Sequence, residues 1–172
     1  PPRKGDVNEV VLPKAREVMA MLRGAGFRVH LDDRDQFQPG YKYADWEMRG
    51  APVRLEIGPK DIEKDQCVLV RRDTRTKEFV PLAGTAARLG EIHAAMQKEL
   101  LEKARAFVAA NTTRVRTWDE FKQVMAEKRG FIVAGWNGDA AIEVKIKEET
   151  KATMRVMPMG DPIEAECVYT GQ

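Results

Sequence analysis

The chain has 172 residues, which is enough for one domain of ordinary size and a second small one. Its 29 lysines and arginines against 27 aspartates and glutamates leave a formal charge of +2. This balance excludes binding of duplex nucleic acid by bulk positive charge, so any contact with nucleic acid must be local. A composition of 43% hydrophobic and 33% charged residues excludes a collagen-like or wholly disordered chain.

The two cysteines, Cys67 and Cys167, lie far apart and have no partner at metal-ligand spacing. Neither a disulfide framework nor a zinc site is therefore predicted. No signal peptide is visible, and no apolar run reaches the roughly 18 residues that a membrane span needs. We expect a protein of a reducing, cytoplasmic compartment with no membrane association. Because the sequence opens on Pro1 rather than methionine, we also expect a fragment.

The first elements predicted are a helix and a strand. Apolar residues recur at steps of three and four over 9–23, and glycines end that pattern at Gly24 and Gly26. The run 27–31 alternates and leads into acidic residues, as a half-buried strand does. No strand precedes this unit, so we expect the first strand of the sheet to be missing.

A second helix, a sheet and a long third helix follow. Pro39 and Gly40 introduce the short helix, and Gly50 ends it. We predict, in order, a strand at 53–58, a single turn or loop, a strand at 66–72, a polar turn at 73–76, a third strand completing the hairpin, and a long helix over 84–110.

A second block begins after a predicted linker at 111–116. Thr117 and Glu120 form a capping-box pattern that predicts a helix directly after Thr117. We then predict a strand at 131–136, a helix or amphipathic turn at 139–150 and a strand at 152–159. The chain thus divides into two α/β modules, residues 1–110 and 117–172.

The residues with the most suggestive chemistry lie around the second helix. Tyr43 and Glu47 are four positions apart and share one helical face, Arg54 lies on the next strand, and Lys60 lies in the loop after it. An aromatic ring can stack on an unpaired base, a carboxylate can accept from N1–H and N2–H₂ of guanine, and cations can meet O6, N7 or phosphate. The pattern therefore favours recognition of an unstacked guanine.

Two alternatives stay open on spacing alone. Tyr43 and Trp46 could be core residues, and Glu47 and Arg54 could form an ordinary ion pair between helix and strand. A second group of basic residues surrounds the hairpin turn and could be either a solvated tip or an edge that contacts phosphate. This group comprises Arg71, Arg72, Arg75 and Lys77.

Several strings in the sequence resemble a known family. LDDRDQ, PGYKYADWEMRGAPVRLEIGPKDIEK and QCVLVRRDT resemble the anticodon-binding domain of class II aminoacyl-tRNA synthetases, closest to prolyl-tRNA synthetases of the archaeal/eukaryotic-like type. GFIVAGWNGD and EETKATMRVMP resemble the C-terminal domain of that same type. The resemblance implies an α/β fold, in which a mixed sheet flanked by helices lacks its first strand and is followed by a small, truncated α/β domain.

The same resemblance implies a function. Tyr43, Glu47, Arg54 and Lys60 fall where the family reads the anticodon, and proline anticodons carry two consecutive guanines. The implied parent is a homodimeric ligase that attaches proline to tRNA with ATP and Mg²⁺ through an upstream class II catalytic domain, whose motifs are absent from this sequence. The alternative function is an anticodon-like module for protein association without tRNA specificity.

The family's structural zinc is expected to be absent. Val156 stands where the resemblance predicts one cysteine, and Thr170 stands in place of the second member of a CxxC pair. Only Cys167 remains, and one thiolate cannot hold a tetrahedral zinc ion. No metal site is predicted.

Overall fold

A computed structural model describes residues 7–160 and 165–172, with side chains from residue 9 onward. It divides into two compact units, Pro1–Leu100 and Leu101–Gln172. The division falls within the longest helix, close to the end of the module predicted at 110. The module boundaries 1–110 and 117–172 remain a prediction.

The first unit combines helices with a small sheet. After a π-helical turn, its elements are α1 (Leu12–Gly24), α2 (Pro39–Met48), β1 (Val53–Glu56), α3 (Pro59–Glu63), β2 (Gln66–Arg71), β3 (Lys77–Pro81), a 3₁₀ turn (Leu82–Gly84) and α4 (Thr85–Ala110). Each predicted helix is present, and prolines occupy the first turns of α1, α2 and α3, where a missing N–H costs little.

The sheet of this unit is an antiparallel β1–β2–β3 meander with β2 in the centre. Successive residues of β2 point to opposite faces. Cys67 and Leu69 belong to the core, which they share with residues of α1 and α4. The core residues are Val18, Leu22, Cys67, Leu69, Val80, Leu82, Leu89, Ile92 and Met96.

The strand predicted at 27–31 is wrong, although its pattern of burial is right. Phe27 and Val29 pack against the core while Arg28 is exposed, as alternation predicts. Within the described part of the chain, however, no strand pairs with this segment. The Arg23 guanidinium donates to the carbonyl of Val29 at 2.8 Å, so a side chain occupies an acceptor that a neighbouring strand would use.

The second unit is also α/β. Its elements after α4 are β4 (Thr112–Arg114), α5 (Trp118–Glu127), β5 (Phe131–Val133) and α6 (Ala140–Thr150). β4 pairs with β5 in parallel, so the predicted linker 111–116 is in part a strand. Two β-branched residues, Thr112 and Thr113, suit that strand, but three residues are too few to show a period.

A separate core fills the second unit. It consists of Val115, Phe121, Ile142, Ile146, Cys167 and Val168. The predicted capping box is present: Thr117 Oγ1 accepts from Glu120 N at 3.3 Å, and Glu120 Oε2 accepts from Thr117 N at 3.3 Å. This reciprocal pair fixes the start of α5.

The strand predicted at 152–159 is wrong. Val156 and Met159 are exposed, and no described strand pairs with this segment. Pro158 also removes a backbone donor that a ladder would require. At the level of class, the prediction of an α/β fold with helices around a small sheet is confirmed. None of the described helices has the length and apolar character to cross a membrane.

Candidate nucleic-acid interface

The loop before α2 anchors that helix through a partly buried carboxylate. Asp32 accepts from Trp46 Nε1 at 2.9 Å and from the Arg34 guanidinium at 2.7 and 2.8 Å. Arg34 also donates to Asp45 at 2.9 Å. The hydrogen bond from Arg34, and next the one from Trp46, hold the pKa of Asp32 far below its usual range despite the opposing effect of burial. Asp32 is therefore an ionised anchor that fixes the orientation of α2.

The strands place two arginines on the sheet face beside α2. Arg54 of β1 lies opposite Val70 of β2, so their side chains share one face. Arg72 lies two residues beyond Val70 and keeps that orientation, and its backbone N–H donates to Pro52 O at 3.0 Å. Arg54, Val70 and Arg72 all line a cleft with residues of α2.

Three of the four predicted site residues come together there. Arg54 Nη1 donates to Glu47 Oε1 at 2.9 Å, and its Nε donates to Glu56 Oε1 at 2.8 Å. Its guanidinium carbon lies 3.9 Å from the centroid of the Tyr43 ring, in a cation–π contact. Burial, followed by the charge of Glu56, raises the pKa of the Tyr43 phenol, which is therefore protonated at neutral pH.

The fourth predicted residue, Lys60, is not part of this cluster. It lies in the short helix α3, where it is exposed. In the described part of the chain, no hydrogen bond or ion pair joins it to Tyr43, Glu47 or Arg54.

The cleft beside the cluster is shallow. Its volume of about 10 Å³ suits a water molecule and is too small to enclose a base. It is lined by Tyr43, Trp46, Glu47, Ala51, Arg54, Val70 and Arg72. A flat ligand would therefore rest on its rim, where Glu47 is 36% exposed, rather than enter it.

The ion pair that a purely structural interpretation requires is thus present, while Tyr43 is only partly buried rather than a core residue. A binding role requires hydrogen-bonding atoms of Glu47 and Arg54 that the ion pair does not use. Within the described residues, Glu47 Oε2 and Arg54 Nη2 have no protein partner. One acceptor and one donor group therefore remain beside the aromatic ring.

Two charged groups were not singled out for this site from the sequence: Glu56, which is bonded to Arg54, and Arg72, which lines the cleft. Glu56 follows Arg54 by two positions, which places both on one face of β1 and could have indicated the contact. Arg72 was grouped with the hairpin turn, and only the β1–β2 register brings it beside Arg54.

The described residues do not fit the zinc site of the family. No group of three or more histidine, cysteine, aspartate or glutamate side chains is arranged there to hold a metal ion. Burial raises the pKa of Cys167, but hydrogen bonds from the Thr170 side chain and from nearby backbone groups outweigh it and lower the pKa overall. These hydrogen bonds favour the thiolate form of Cys167. The absence of metal stays a prediction.

Comparisons with known proteins match both units. A family model described as "Anticodon binding domain" matches residues 3–92, and one described as "Prolyl-tRNA synthetase, C-terminal" matches residues 118–172. The chain is 46% identical to "Proline--tRNA ligase" of Rubrobacter xylanophilus, over 92% of this chain and 36% of that protein.

Two further relatives give the same result. "Proline--tRNA ligase" of Lachnoclostridium phytofermentans is 50% identical over 95% of this chain and 34% of its own length. "Proline--tRNA ligase 2" of Clostridioides difficile is 41% identical over 100% of this chain and 38% of its own length. The chain thus spans little more than a third of the relatives it matches. It belongs to the anticodon-binding domain family and corresponds to the C-terminal part of the prolyl-tRNA synthetases.

Proposed function

We propose that this chain recognises the anticodon of a proline tRNA through Tyr43, Glu47 and Arg54, with Lys60 as an outer cation. The observation that carries the proposal is the position of Arg54, which contacts the Tyr43 ring while it is bonded to Glu47. An aromatic ring, a carboxylate and a fixed guanidinium then face one partly exposed surface. Single-stranded RNA is commonly read by such a combination of stacking and hydrogen bonds to base edges.

The unused groups suit guanine. Glu47 Oε2 can accept from the N1–H and N2–H₂ edge, and Arg54 Nη2 can donate to O6 or N7 of a second guanine. Glu56 holds Arg54 from the other side, so the guanidinium does not have to be ordered when RNA binds. Because Arg54 covers one face of the Tyr43 ring, a base would stack on the guanidinium plane or on the other ring face.

In the complete protein this recognition would serve aminoacylation. We propose a cytoplasmic, homodimeric ligase in which an upstream class II catalytic domain joins proline to tRNA with ATP and Mg²⁺. This chain would bind and orient the tRNA and would leave the chemistry to that domain. Loss of anticodon contacts should therefore lower aminoacylation more than proline-dependent ATP–pyrophosphate exchange.

Substitution Glu47→Gln tests the proposal. Binding of a proline tRNA and of a transcript with adenines in place of the two anticodon guanines would be measured by fluorescence anisotropy. The wild-type chain should prefer the proline tRNA, and the variant should lose about 1–3 kcal/mol of that preference. A neutral amide has a single acceptor oxygen, which cannot serve Arg54 and guanine together as the two charged oxygens of Glu47 can. Glu63→Gln, which changes an exposed carboxylate of α3 outside the cleft, should leave the preference intact.

Equal binding of both transcripts by the wild-type chain, or no binding, would contradict the proposal and favour the protein-association alternative. A preference that survives in Glu47→Gln would show that Glu47 is a structural partner of Arg54 and not a reader of the base.

A further inference from the structure

The cleft contains a second arginine to which the proposed base-reading cluster gives no role. Arg72 lines the cleft and is exposed. Its Nη1 lies close to Gly50, where a β-carbon would be 3.3 Å away. The guanidinium therefore rests against the glycine that follows α2, and the absence of a side chain at that position makes room for it.

The two arginines of the cleft differ in whether a carboxylate neutralises their charge. Arg54 is bonded to two carboxylates, Glu47 and Glu56. These three groups together carry a formal charge of −1, which would repel a polynucleotide. Within the described residues, Arg72 has no carboxylate partner, and it is the cleft-lining cation whose charge is not neutralised.

Arg71, which precedes Arg72 in the sequence, is by contrast paired with carboxylates. Arg71 points to the opposite face of β2, where its guanidinium is bonded to Asp73 at 2.7 Å and to Glu99 at 2.6 Å. Of this pair, Arg71 is therefore held by carboxylates of the fold, and Arg72 is available to a ligand. Of the basic residues around the hairpin turn, Arg71 is thus structural and Arg72 belongs to the cleft.

We infer that Arg72 binds a backbone phosphate of the RNA strand whose bases meet Glu47 and Arg54. This inference rests on the proposed function and adds the contact that offsets the negative charge of the cluster. A guanidinium matches phosphate by paired N–H donors, and it can form those bonds here without breaking an internal ion pair. The hydrogen bond from Arg72 N to Pro52 O fixes the backbone from which the side chain extends.

The test compares Arg72→Ala and Arg72→Lys in the full 172-residue chain, with proline tRNA and the adenine-substituted transcript as probes. Arg72→Ala should weaken binding of both RNAs by a similar factor, roughly tenfold. It should also lower the slope of log affinity against log salt by about 0.7, since one phosphate contact is lost. Arg72→Lys should restore the slope because it keeps the charge, but only part of the affinity because an ammonium lacks the paired N–H donors.

Arg105→Ala is the matched control. It removes the same charge from an exposed position that does not line the cleft, and we expect wild-type affinity and salt slope. Thermal unfolding of each variant checks folding; Arg72→Ala should unfold at the wild-type temperature because its side chain has no ion pair to lose.

The outcomes separate this inference from the function on which it rests. If wild type discriminates between the two RNAs but Arg72→Ala binds both as wild type does, the phosphate contact is wrong and the proposed function stands. A loss confined to the proline tRNA would make Arg72 a base reader and would also overturn the phosphate assignment. If wild type does not discriminate, the proposed function itself fails.

Discussion

At the residue scale, Asp32 is the group on which the position of the candidate site most depends. Its carboxylate joins Trp46 of α2 to Arg34, which in turn is bonded to Asp45 of the same helix. Tyr43 and Glu47 lie on that helix, so the loop carboxylate positions both without touching either. A hydrogen-bonded charge with little solvent access is expensive to remove because its donors lose their acceptor.

Substitution Asp32→Asn should lower the free energy of unfolding by about 1–3 kcal/mol at pH 7. The pKa of Asp32 is lowered in the folded state, so its contribution is complete above the unfolded value of 3.8 and is lost as pH falls below it. Urea unfolding at pH 7 and near pH 3 should therefore show a stability difference that narrows in acid. Asp33→Asn is the control, because that side chain is 52% exposed and 3.9 Å from Arg16. A difference that stays constant with pH would contradict the ionised anchor.

The sequence predicts some of these residues and not others for a physical reason. Tyr43 and Glu47 follow from helical spacing alone, which is local. The contact of Arg54 with the Tyr43 ring and the place of Arg72 in the cleft depend on the register between β1 and β2. Strand register is set by packing and turn geometry far along the chain, and no short pattern records it.

At the element scale, boundaries with a chemical cap are predicted well and isolated strands are not. The Thr117–Glu120 pair marks the start of α5 in sequence and in structure. The segments 27–31 and 152–159 have strand-like composition but no pairing partner in the described chain, while β4 pairs despite its short length. A strand is a property of two segments, so the pattern of one segment predicts its burial better than its pairing.

Removal of the α5 cap should therefore have a measurable cost. Thr117→Ala leaves the N–H of Glu120 without its acceptor and should destabilise the second unit by about 1 kcal/mol. Thr117→Ser keeps the hydroxyl and should retain most of the stability. Hydrogen exchange of the α5 amides measures both effects. Equal acceleration of exchange in the two variants would mean that the threonine methyl group, and not the cap, matters at this position.

At the scale of the whole molecule, the two units have separate hydrophobic cores that share no residue among those the structure describes. Leu69 is 1% exposed in the first core, and Phe121 is 7% exposed in the second. The match of a different family model to each unit agrees with this division. Interiors are closely packed, so a cavity in one core should first lower the stability of the elements that line it.

Leu69→Ala and Phe121→Ala test this division. Each should lower the free energy of unfolding of its own unit by about 2–5 kcal/mol, because a cavity remains where the side chain was. Hydrogen exchange on the full chain should show faster exchange in β2 and β3 for Leu69→Ala, with the amides of α6 unchanged. Phe121→Ala should give the reverse pattern. If either substitution accelerated exchange equally in both units, the two cores would behave as one cooperative structure, because the loss of packing at a single site would then lower the stability of elements that do not contact it.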